Sequence, residues 1–341
     1  MLHTLAVVTE YGAAPSQGRI HREDVYMPLT PMFHVHAWGS PYLYTMMGNK
    51  QVYPGRYAPD VLLGLIAREG VTSTHCVPTI LQMLLSAPGS KDVDLSRLKM
   101  VVGGSAMPRA LARAALDRGI DVFTGYGQSE SAPMLSGVHL TTKQMAEDRE
   151  TQVERRTCAG LPAPFVDLRI VDAEMADVPH DGKTRGEIVT RAPWLTMGYL
   201  NDPAASEQLW AGGYMHTGDV ATWDADGYIH IVDRIKDIII RGGENVSSIE
   251  VESALLAAPG VAEAAVIAVP DDVMGEKVGA VLFGGAETVD VPQVLAHCRE
   301  QLADFKIPQY IVVADGPLPR NPGGKLLKAQ LRTSIEWGAP L

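Results

Sequence analysis

The sequence predicts an α/β protein with a large layered α/β domain, which ends in a β-rich subdomain, and a small α+β domain at the C-terminal end. Three observations support this prediction. Between residues 24 and 137, strand-like and helix-like segments alternate, which is typical of a mainly parallel sheet covered by helices. Beyond Cys158, short strands are separated by glycine, proline and aspartate turns. After Arg234, strands and helices are mixed again up to the last residue.

Apolar runs and end signals define the elements of the first part of the chain. We predict strands at 25–29, 51–53, 72–77, 100–102 and 121–124, and helices at 58–68, 79–86 and 108–118. In the last helix, Pro108 fits a first-turn position and Gly119 fits a C-terminal cap. Residues 142–156 are charged and lack a clear apolar face, which predicts a surface loop or a short helix.

The remaining elements define a domain boundary near residues 233–236. We predict domains at 1–233 and 234–341, with the β-rich subdomain at about 158–233. The predicted elements are strands at 166–171, 186–190 and 228–232, a buried strand at Ile238–Ile240, a helix at 248–257, strands at 262–269 and 278–283, a helix at 291–303, a strand at 310–313 and a helix at 325–335.

Length, composition and charge exclude several classes of protein. The 341 residues suffice for two domains, and 46% hydrophobic with 20% charged residues is ordinary for a water-soluble chain. A net charge of −11 argues against a nucleic-acid partner, since a phosphate backbone requires clustered lysine and arginine.

The cysteines and the apolar segments indicate a cytoplasmic protein. Cys76, Cys158 and Cys298 have no metal-like spacing, so we expect a reducing compartment and no disulfide framework. The N-terminal apolar run stops at Glu10 and has no basic leader, and no segment approaches the length of a membrane span. We therefore expect no integral membrane contact.

The segment Gly125–Glu130, which reads GYGQSE, carries the strongest chemical signal. It follows a predicted strand, and its glycines would let main-chain N–H groups approach a phosphate closely. The carboxylate of Glu130 would suit a hard cation that bridges phosphate oxygens. On its own, the segment is more typical of an ordinary strand-to-turn sequence, and the later segments add the support for a nucleotide site.

Three later segments add further candidates. Residues 214–219 predict a turn that ends in Asp219, and a hairpin at Asp226-Gly227 leads to a strand that presents Arg234. An aspartate suits a ribose diol, and the donors of Arg234 suit hydroxyls or phosphate. A surface hairpin with solvated charges would explain these residues as well.

The other two segments are glycine-rich. Gly242-Gly243 predicts a turn after the apolar triple, and Ser247 with Glu250 predicts a capping box that opens a helix. The segment at 319–328 predicts a flexible loop that presents Lys325. A mobile surface turn is the structural alternative for this loop.

Together, in this order, the segments resemble the adenylate-forming superfamily, which includes acyl- and aryl-CoA synthetases, luciferases and the adenylation domains of peptide synthetases. The resemblance extends over nearly the whole chain and includes Pro31–His34 and the segment at 101–108. It implies an acid–thiol ligase that joins a carboxylic acid to AMP, using ATP and Mg²⁺, and then transfers the acyl group to CoA. The large domain would hold nucleotide and acid, while the small domain would adopt two orientations.

The resemblance also implies roles for individual residues. Lys325 would be the catalytic lysine and Glu130 the Mg²⁺ ligand, and Lys236 would be the hinge. The nucleotide would contact Gly103, Gly104, Ser105, Tyr126, Gly127, Ser129, Asp219 and Arg234. His34 and Gly125 would line the acyl pocket, with a buried structural histidine as the alternative for His34. Gly242 and Gly243 would lie on the CoA side.

Members of the superfamily carry an upstream Ser/Thr/Gly-rich phosphate loop with a lysine, and no such loop occurs in these 341 residues. Met1–Val8 is similar to the helix that follows that loop. We therefore expect weak AMP binding and slow or no ATP turnover by this chain alone.

Several alternatives stay open. A catalytically incomplete remnant that only binds nucleotide, acyl group or a partner is the alternative to the ligase. An aliphatic, fatty acid is the first expectation for the substrate, since residues 30–38 contain no lysine or arginine. A homodimer is one alternative for the oligomeric state. A Rossmann oxidoreductase is excluded because no G-x-G-x-x-G with a later acidic residue follows a strand.

Overall fold

The computed structural model describes residues 1–321 and 324–341, which form two compact units. The first unit comprises Met1–Thr217 and Ala221–Ile231, and the second comprises Gly218–Val220 and Val232–Leu341. Pro322 and Gly323, which belong to the predicted lysine loop, lie outside the described residues. The domain boundary predicted between residues 233 and 234 stays a prediction.

The described helices and strands alternate over most of the chain. The helices are α1 (Leu2–Gly12), α2 (Val35–Trp38), α3 (Ser40–Met47), α4 (Pro59–Glu69), α5 (Pro78–Ser86), α6 (Arg109–Asp117), α7 (Arg149–Arg156), α8 (Pro203–Leu209), α9 (Ser248–Ala257), α10 (Val291–Gln301) and α11 (Lys328–Ser334). The strands are β1 (Val25–Pro28), β2 (Lys50–Gln51), β3 (Ser73–Cys76), β4 (Lys99–Val102), β5 (Asp121–Gly127), β6 (Met134–Gly137), β7 (Leu161–Pro162), β8 (Asp167–Val171), β9 (Gly186–Arg191), β10 (Met215–Trp223), β11 (Ile229–Arg234), β12 (Ile239–Arg241), β13 (Glu244–Val246), β14 (Glu263–Asp271), β15 (Gly275–Phe283) and β16 (Tyr310–Val313).

A seven-stranded sheet in the order β2-β1-β3-β4-β5-β6-β7 forms the frame of the first unit. The first five strands pair in parallel, and β6 and β7 continue the sheet antiparallel. Buried residues of the strands and of α4, α5 and α6, such as Leu62, Leu81, Met100 and Leu111, form one core cluster. The carboxyl ends of β3, β4 and β5 therefore share one edge, which is where open α/β sheets place their ligand sites.

A second sheet, in the order β11-β10-β9-β8, contains a strand, β10, that the sequence did not predict. Residues 214–219 were expected to form a turn that ends in Asp219, and this expectation is wrong. Met215–Trp223 is one nine-residue strand, and Asp219 lies within it. Gly218 has a φ of 71° inside this strand, a local backbone feature that glycine accommodates without strain and that reads as a turn in the sequence.

The third sheet belongs to the second unit and runs β13-β12-β15-β14, with β16 parallel to β15. Helices α9 and α10 pack on it around a core that includes Val251, Leu255, Val266 and Val294. The strand predicted at Ile238–Ile240 was expected to be fully buried, and this is wrong. Ile239 is buried while Ile240 is 55% exposed, since successive side chains of a strand point to opposite faces.

Several predicted end signals are confirmed. Gly119 follows α6 with a φ of 74°, and the hairpin residues Gly242 and Gly243 have φ values of 58° and 89°. The hydroxyl of Ser247 accepts the N–H of Glu250 at 3.1 Å and thereby caps α9. None of the helices in the described ranges has the length and apolar character that crossing a bilayer requires.

Candidate active site

The glycines at the ends of β4 and β5 allow the two strand ends to approach closely. A Cβ on Gly103 would lie 2.8 Å from the carbonyl oxygen of Gly125, and a Cβ on Gly127 would overlap the carbonyl oxygen of Pro133. Any side chain at these two positions would therefore push the backbone apart. The glycines are required by close backbone approach at the edge where β4 and β5 end.

This edge opens into a cavity of about 890 Å³, open mouth included. Most of the residues that the sequence predicted for nucleotide and acyl binding in the first unit line it. They are His34, Gly103, Gly104, Gly125, Tyr126, Gly127 and Ser129. The structure thus brings together, around one space, residues that are up to 95 positions apart in the sequence. Ser105 is exposed next to Gly104 and is not one of the lining residues.

The segment after His34 enters the cavity in a strained conformation. All four residues of α2, Val35 to Trp38, have positive φ values between 47° and 58°, so this turn is left-handed. Each non-glycine residue in that region costs about 1–2 kcal/mol, and a β-branched valine is a clear outlier there. The turn places the Trp38 ring 4.9 Å from the ring of His75.

Glu130 lies just beyond β5 in a short 3-10 turn at Ser129–Ser131. The Tyr199 hydroxyl donates to its carboxylate at 2.9 Å, and the backbone N–H of Thr196 donates to its carbonyl at 2.8 Å. Burial and this contact raise the pKa of Tyr199, so the phenol keeps its proton and holds the carboxylate in place.

The donor set at Glu130 fits a magnesium ion that is held mainly by substrate oxygens. Within residues 1–321 and 324–341, no three His, Cys, Asp or Glu side chains are grouped as a metal cage. Magnesium is commonly bound through one or two carboxylates together with phosphate oxygens and water. A single, half-buried carboxylate beside the glycine-rich edge matches that arrangement.

In the second unit, Asp219 and Arg234 form an ion pair. Asp219 is 5% exposed on β10, and Arg234 ends the neighbouring strand β11, with its Nε 3.3 Å from the Asp219 carboxylate. The preceding residue, Asp233, is buried and accepts the backbone N–H groups of Arg234 and Ser248. Asp233 therefore fixes the end of β11 to the start of α9.

Lys325 lies in the electrostatic field of this pair. Partial desolvation of its ammonium group lowers the pKa of Lys325. The positive charges of Arg234 and Lys236 lower this pKa further, and the negative charge of Asp219 raises it. The side-chain oxygen of Asn321 accepts the backbone N–H of Lys325 at 2.9 Å. The structure thus joins three residues that the sequence predicted separately: Asp219, Arg234 and Lys325.

The predicted hinge residue, Lys236, is exposed in a short 3-10 turn at Ile235–Asp237. From α11, the guanidinium of Arg332 donates to the Lys236 carbonyl at 3.3 Å and forms an ion pair with the carboxylate of Asp237. The helix that follows Lys325 is therefore fastened to the turn that contains Lys236.

The predicted CoA-side glycines lie on a separate hairpin of the second unit. Gly242 and Gly243 connect β12 to β13, and the Gly242 N–H donates to the Met274 carbonyl at 2.8 Å. A Cβ on Gly242 would lie 2.5 Å from the Met274 methyl group, so a side chain would displace that methionine.

Sequence reasoning missed a polar wall deep in the cavity. We use the term inner wall for Tyr26, Tyr44, Ser73 and His75, which line the cavity, together with Thr30, which contacts His75; all five are at most 4% exposed. The sequence contained part of the pattern that would predict this wall, because Ser73 and His75 are two residues apart on one strand and so share a face. Nothing in the sequence pairs them with the two tyrosines, which come from β1 and α3.

One unit has a glycine-rich sheet edge with a carboxylate beside it, and the other has an aspartate–arginine pair with a loop lysine. Each of these arrangements, taken by itself, is typical of the class of nucleotide-using enzymes. The chain belongs to the AMP-binding enzyme family, whose sequence model matches residues 1–200, and the model of the AMP-binding enzyme C-terminal domain matches residues 250–325.

Known proteins with similar sequences and structures agree with this assignment. The chain is 40% identical to a long-chain-fatty-acid–CoA ligase of Thermus thermophilus, over 97% of this chain and 61% of the relative. The amide bond synthetase McbA from Marinactinospora thermotolerans has a TM-score of 0.83 at 29% identity, over 97% of this chain and 64% of that one. An o-succinylbenzoate CoA synthetase from Bacillus subtilis, solved with ATP and magnesium, has a TM-score of 0.82 at 28% identity, over 97% and 64%. The chain thus spans about three fifths of the relatives' length.

Proposed function

We propose that this chain carries the acid-binding and adenylate-binding parts of an acid–CoA ligase. The enzyme activates a carboxylic acid with ATP to an acyl-AMP and then transfers the acyl group to CoA. The single observation that carries the proposal is the cavity at the ends of β4 and β5, which collects His34, Gly103, Gly125 and Tyr126 around one space. Family membership makes adenylate formation the chemistry to test there.

In the first step, an oxygen of the acid attacks the α-phosphorus of ATP. A new O–P bond forms, the bond from that phosphorus to the bridging oxygen breaks, and pyrophosphate leaves with its electron pair. Negative charge grows on the phosphoryl oxygens, and preorganised positive groups stabilise it. We assign this role to the ammonium of Lys325. Asp219 and Arg234 hold the ribose, and the glycines at Gly103 and Gly127 let the nucleotide approach the sheet edge closely.

Magnesium, when bound at Glu130, would offset the charge of the phosphates. The Tyr199 hydroxyl orients this carboxylate through its 2.9 Å hydrogen bond. Tyr126, which lines the cavity between two glycines, presents a ring against which adenine can stack.

In the second step, the sulfur of CoA attacks the acyl carbon of the acyl-AMP. The C–S bond forms, the bond from the acyl carbon to the AMP oxygen breaks, AMP leaves, and the thiol proton passes to solvent. Lys236 acts as the hinge between the two steps, since an exposed turn residue can absorb a large change in φ and ψ. Because Gly242 and Gly243 have no side chains, their hairpin leaves room for pantetheine to pass.

The partners that follow are small molecules: a carboxylic acid, ATP and CoA. The three cysteines, Cys76, Cys158 and Cys298, are buried and free, which supports a place in the reducing cytoplasm. A homodimer is compatible with these partners, and sedimentation of the purified chain tests it.

Hydroxylamine trapping tests the proposed chemistry. An acyl-AMP formed from ATP, Mg²⁺ and an acid reacts with hydroxylamine to give a hydroxamate, and the assay does not need CoA. We expect hydroxamate from an upstream-extended form, which adds the N-terminal region that the relatives have and residues 1–341 lack. We expect little hydroxamate from residues 1–341 alone. Robust acyl-CoA synthesis by the 341-residue chain would contradict the second expectation.

The alternative function, binding without turnover, makes a different prediction in the same assay. A protein that only binds would take up AMP or an acyl-AMP analogue and yield no hydroxamate in any form. Hydroxamate from the extended form removes this alternative.

A further inference from the structure

The lining of the cavity contains the polar side chains of Tyr44, Ser73 and His75 as well as aromatic and aliphatic side chains. In the register of β3, β4 and β5, His75 lies level with Val101 and Phe123, and Ser73 lies level with Lys99. His75 is thus two residues, or about 7 Å, before the level of Gly125, and Ser73 is four residues, or about 13 Å, before it. An acid whose carboxylate lies at the glycine-rich edge would extend towards these side chains.

The hydroxyls of the inner wall form two hydrogen-bonded groups. The Tyr44 hydroxyl and Ser73 Oγ are bonded to each other, and His75 contacts the Tyr26 hydroxyl at 3.2 Å and the Thr30 hydroxyl at 2.6 Å. The rings of Tyr26 and Tyr44 stack with centroids 4.0 Å apart, which ties the two groups together. Burial lowers the pKa of His75 to about 3, so the imidazole is neutral.

The Tyr44–Ser73 pair can bind one more hydroxyl group. Each of the two residues has one O–H proton and two lone pairs, and a single hydrogen bond between them uses one proton and one lone pair. The pair therefore keeps one donor and several acceptor positions. A ligand hydroxyl, which is itself both donor and acceptor, matches this arrangement, whereas a methyl group can form no hydrogen bond with the pair.

The cation near the inner wall is not available for a charged substrate group. Lys99 lines the cavity, but its ammonium lies 2.6 Å from both carboxylate oxygens of Asp24 and 2.7 Å from the carbonyl oxygen of Arg19. These three contacts use its three N–H donors. A second carboxylate on the acid would therefore meet the negative charge of Asp24 without a free cation.

From these observations we infer that the acid bound in this cavity carries a neutral hydroxyl group at the end opposite its carboxylate, and that Tyr44 and Ser73 recognise it. The inference rests on the proposed function, and it specifies the acid within the class of carboxylic acids.

Equilibrium binding to the 341-residue chain tests the inference without requiring catalysis. The probes are two matched pairs: octanoate with its terminally hydroxylated form, and cinnamate with para-hydroxycinnamate. Binding is followed by isothermal titration calorimetry and by the fluorescence of Trp38, which lines the cavity. We expect the hydroxylated member of at least one pair to bind about tenfold more tightly, which corresponds to one net hydrogen bond.

The variants Ser73→Ala and Tyr44→Phe each remove one hydroxyl and retain most of the side-chain shape. Both should reduce the preference for the hydroxylated acids to about twofold or less, while binding of the unsubstituted acids stays within a factor of about three. Tyr53→Phe is the matched control, because Tyr53 is 56% exposed and does not line the cavity. It should keep the full preference.

Three results would overturn the inference: equal or weaker binding of the hydroxylated acids by the wild-type chain, a preference that both variants retain, or no binding of any probe. Should a variant fail to fold, the comparison of the matched acids on the wild-type chain still decides. Tight binding without hydroxamate from the extended form would refute only the proposed function. Hydroxamate formation with a preference for the unsubstituted acids would refute only this inference.

Discussion

Lys325 is the residue on which adenylate formation depends most in the proposed mechanism. Lys325→Ala should lower the rate of pyrophosphate–ATP exchange in an upstream-extended form by about a hundredfold or more, the typical effect of losing one electrostatic contact to a transition state. Folding should change little, because the side chain is exposed. Lys143→Ala, which removes another exposed lysine, is the control. An unaltered exchange rate in Lys325→Ala would refute its role.

The lowered pKa of Lys325 predicts how adenylation depends on pH. The charged ammonium is lost at a lower pH than for an unperturbed lysine, whose pKa is about 10.4. As the pH is raised, exchange activity should therefore begin to fall before the pH reaches the pKa of an unperturbed lysine. Lys325→Arg keeps the charge and should move the alkaline fall to higher pH, even if its maximum rate is lower. Identical alkaline profiles for lysine and arginine would contradict this assignment.

His75 should make the first unit sensitive to acid. Its pKa is about 3 in the folded protein, against about 6.5 in an unfolded chain, so below pH 6.5 the unfolded state binds more protons. The free energy of unfolding should fall as the pH decreases from about 6.5, by up to about 1.4 kcal/mol per pH unit from this residue. Urea unfolding between pH 7 and 4.5 measures the slope.

In the same titration, His75→Gln should show a shallower slope, since glutamine does not titrate. His180→Gln, at an exposed histidine, should leave the slope unchanged. Parallel pH dependences for the wild type and His75→Gln would show that His75 is not the acid-sensitive group.

Individual site residues could be predicted from the sequence where a single local segment carries them. The segment Gly125–Glu130 predicted a ligand-binding turn, and its first residues do line the cavity. The inner wall could not be predicted in this way. It forms only when β1 pairs with β3, which brings Tyr26 beside Ser73 and His75, and when Tyr44 of α3 stacks on Tyr26.

At the scale of single elements, the end of β5 depends on Gly127. A Cβ there would overlap the Pro133 carbonyl oxygen, so Gly127→Ala should cost about 2 kcal/mol or more of the free energy of unfolding. Gly64→Ala is the matched control, because a Cβ at that helical position in α4 meets no atom within 4 Å. It should stabilise the chain by about 0.5–1 kcal/mol. Equal effects in chemical denaturation would contradict the close approach at β5.

In the proposed mechanism, the turn at Ile235–Asp237 contains the hinge residue that acts between adenylate formation and thioester formation. Lys236→Pro fixes φ at this position and should spare adenylate formation while it blocks thioester formation. Lys236→Ala leaves the backbone free and should support both steps. Hydroxamate formation and CoA ester formation are measured separately in an upstream-extended form. Equal loss of both activities in Lys236→Pro would count against the hinge.

Element predictions succeeded where end signals are local. Helix α9 begins and ends at the predicted residues, Ser248 and Ala257, since Ser247 caps its first turn. Strand β16 also matches its prediction, Tyr310–Val313. Strand β10 was missed because Gly218 and Asp219 have turn-like identities, while their strand conformation depends on pairing with neighbouring strands of the sheet.

At the scale of the whole molecule, the second unit has its own core. Its two clusters, which include Ile239, Val278 and Leu331, contain only residues between 239 and 337. Residues 232–341 expressed alone should therefore unfold cooperatively in thermal circular dichroism. Leu255→Ala, at a fully buried position, should destabilise this fragment by about 2–5 kcal/mol. A fragment without a cooperative transition would show that its core depends on the rest of the chain.

The division into units includes one feature that sequence patterns could not predict. The change in sequence pattern near Arg234 predicts a boundary at residues 233–234, which stays a prediction, and the second unit contains Val232–Leu341. It also contains Gly218–Val220, from the middle of β10. No periodicity or turn signal in the sequence could assign three residues of one strand to a unit that begins later in the chain.

The attachment of Arg332 to Asp237 has a practical consequence for handling the protein. Shortening the chain at its C-terminal end by ten residues would delete Arg332 and leave the Asp237 carboxylate, which is 12% exposed, without its cation. Such a trimmed protein would be altered at the turn that contains Lys236, almost a hundred positions upstream of the cut. Purification tags are therefore better fused to the N-terminal end, and activity lost on C-terminal trimming should not be attributed to the deleted residues alone.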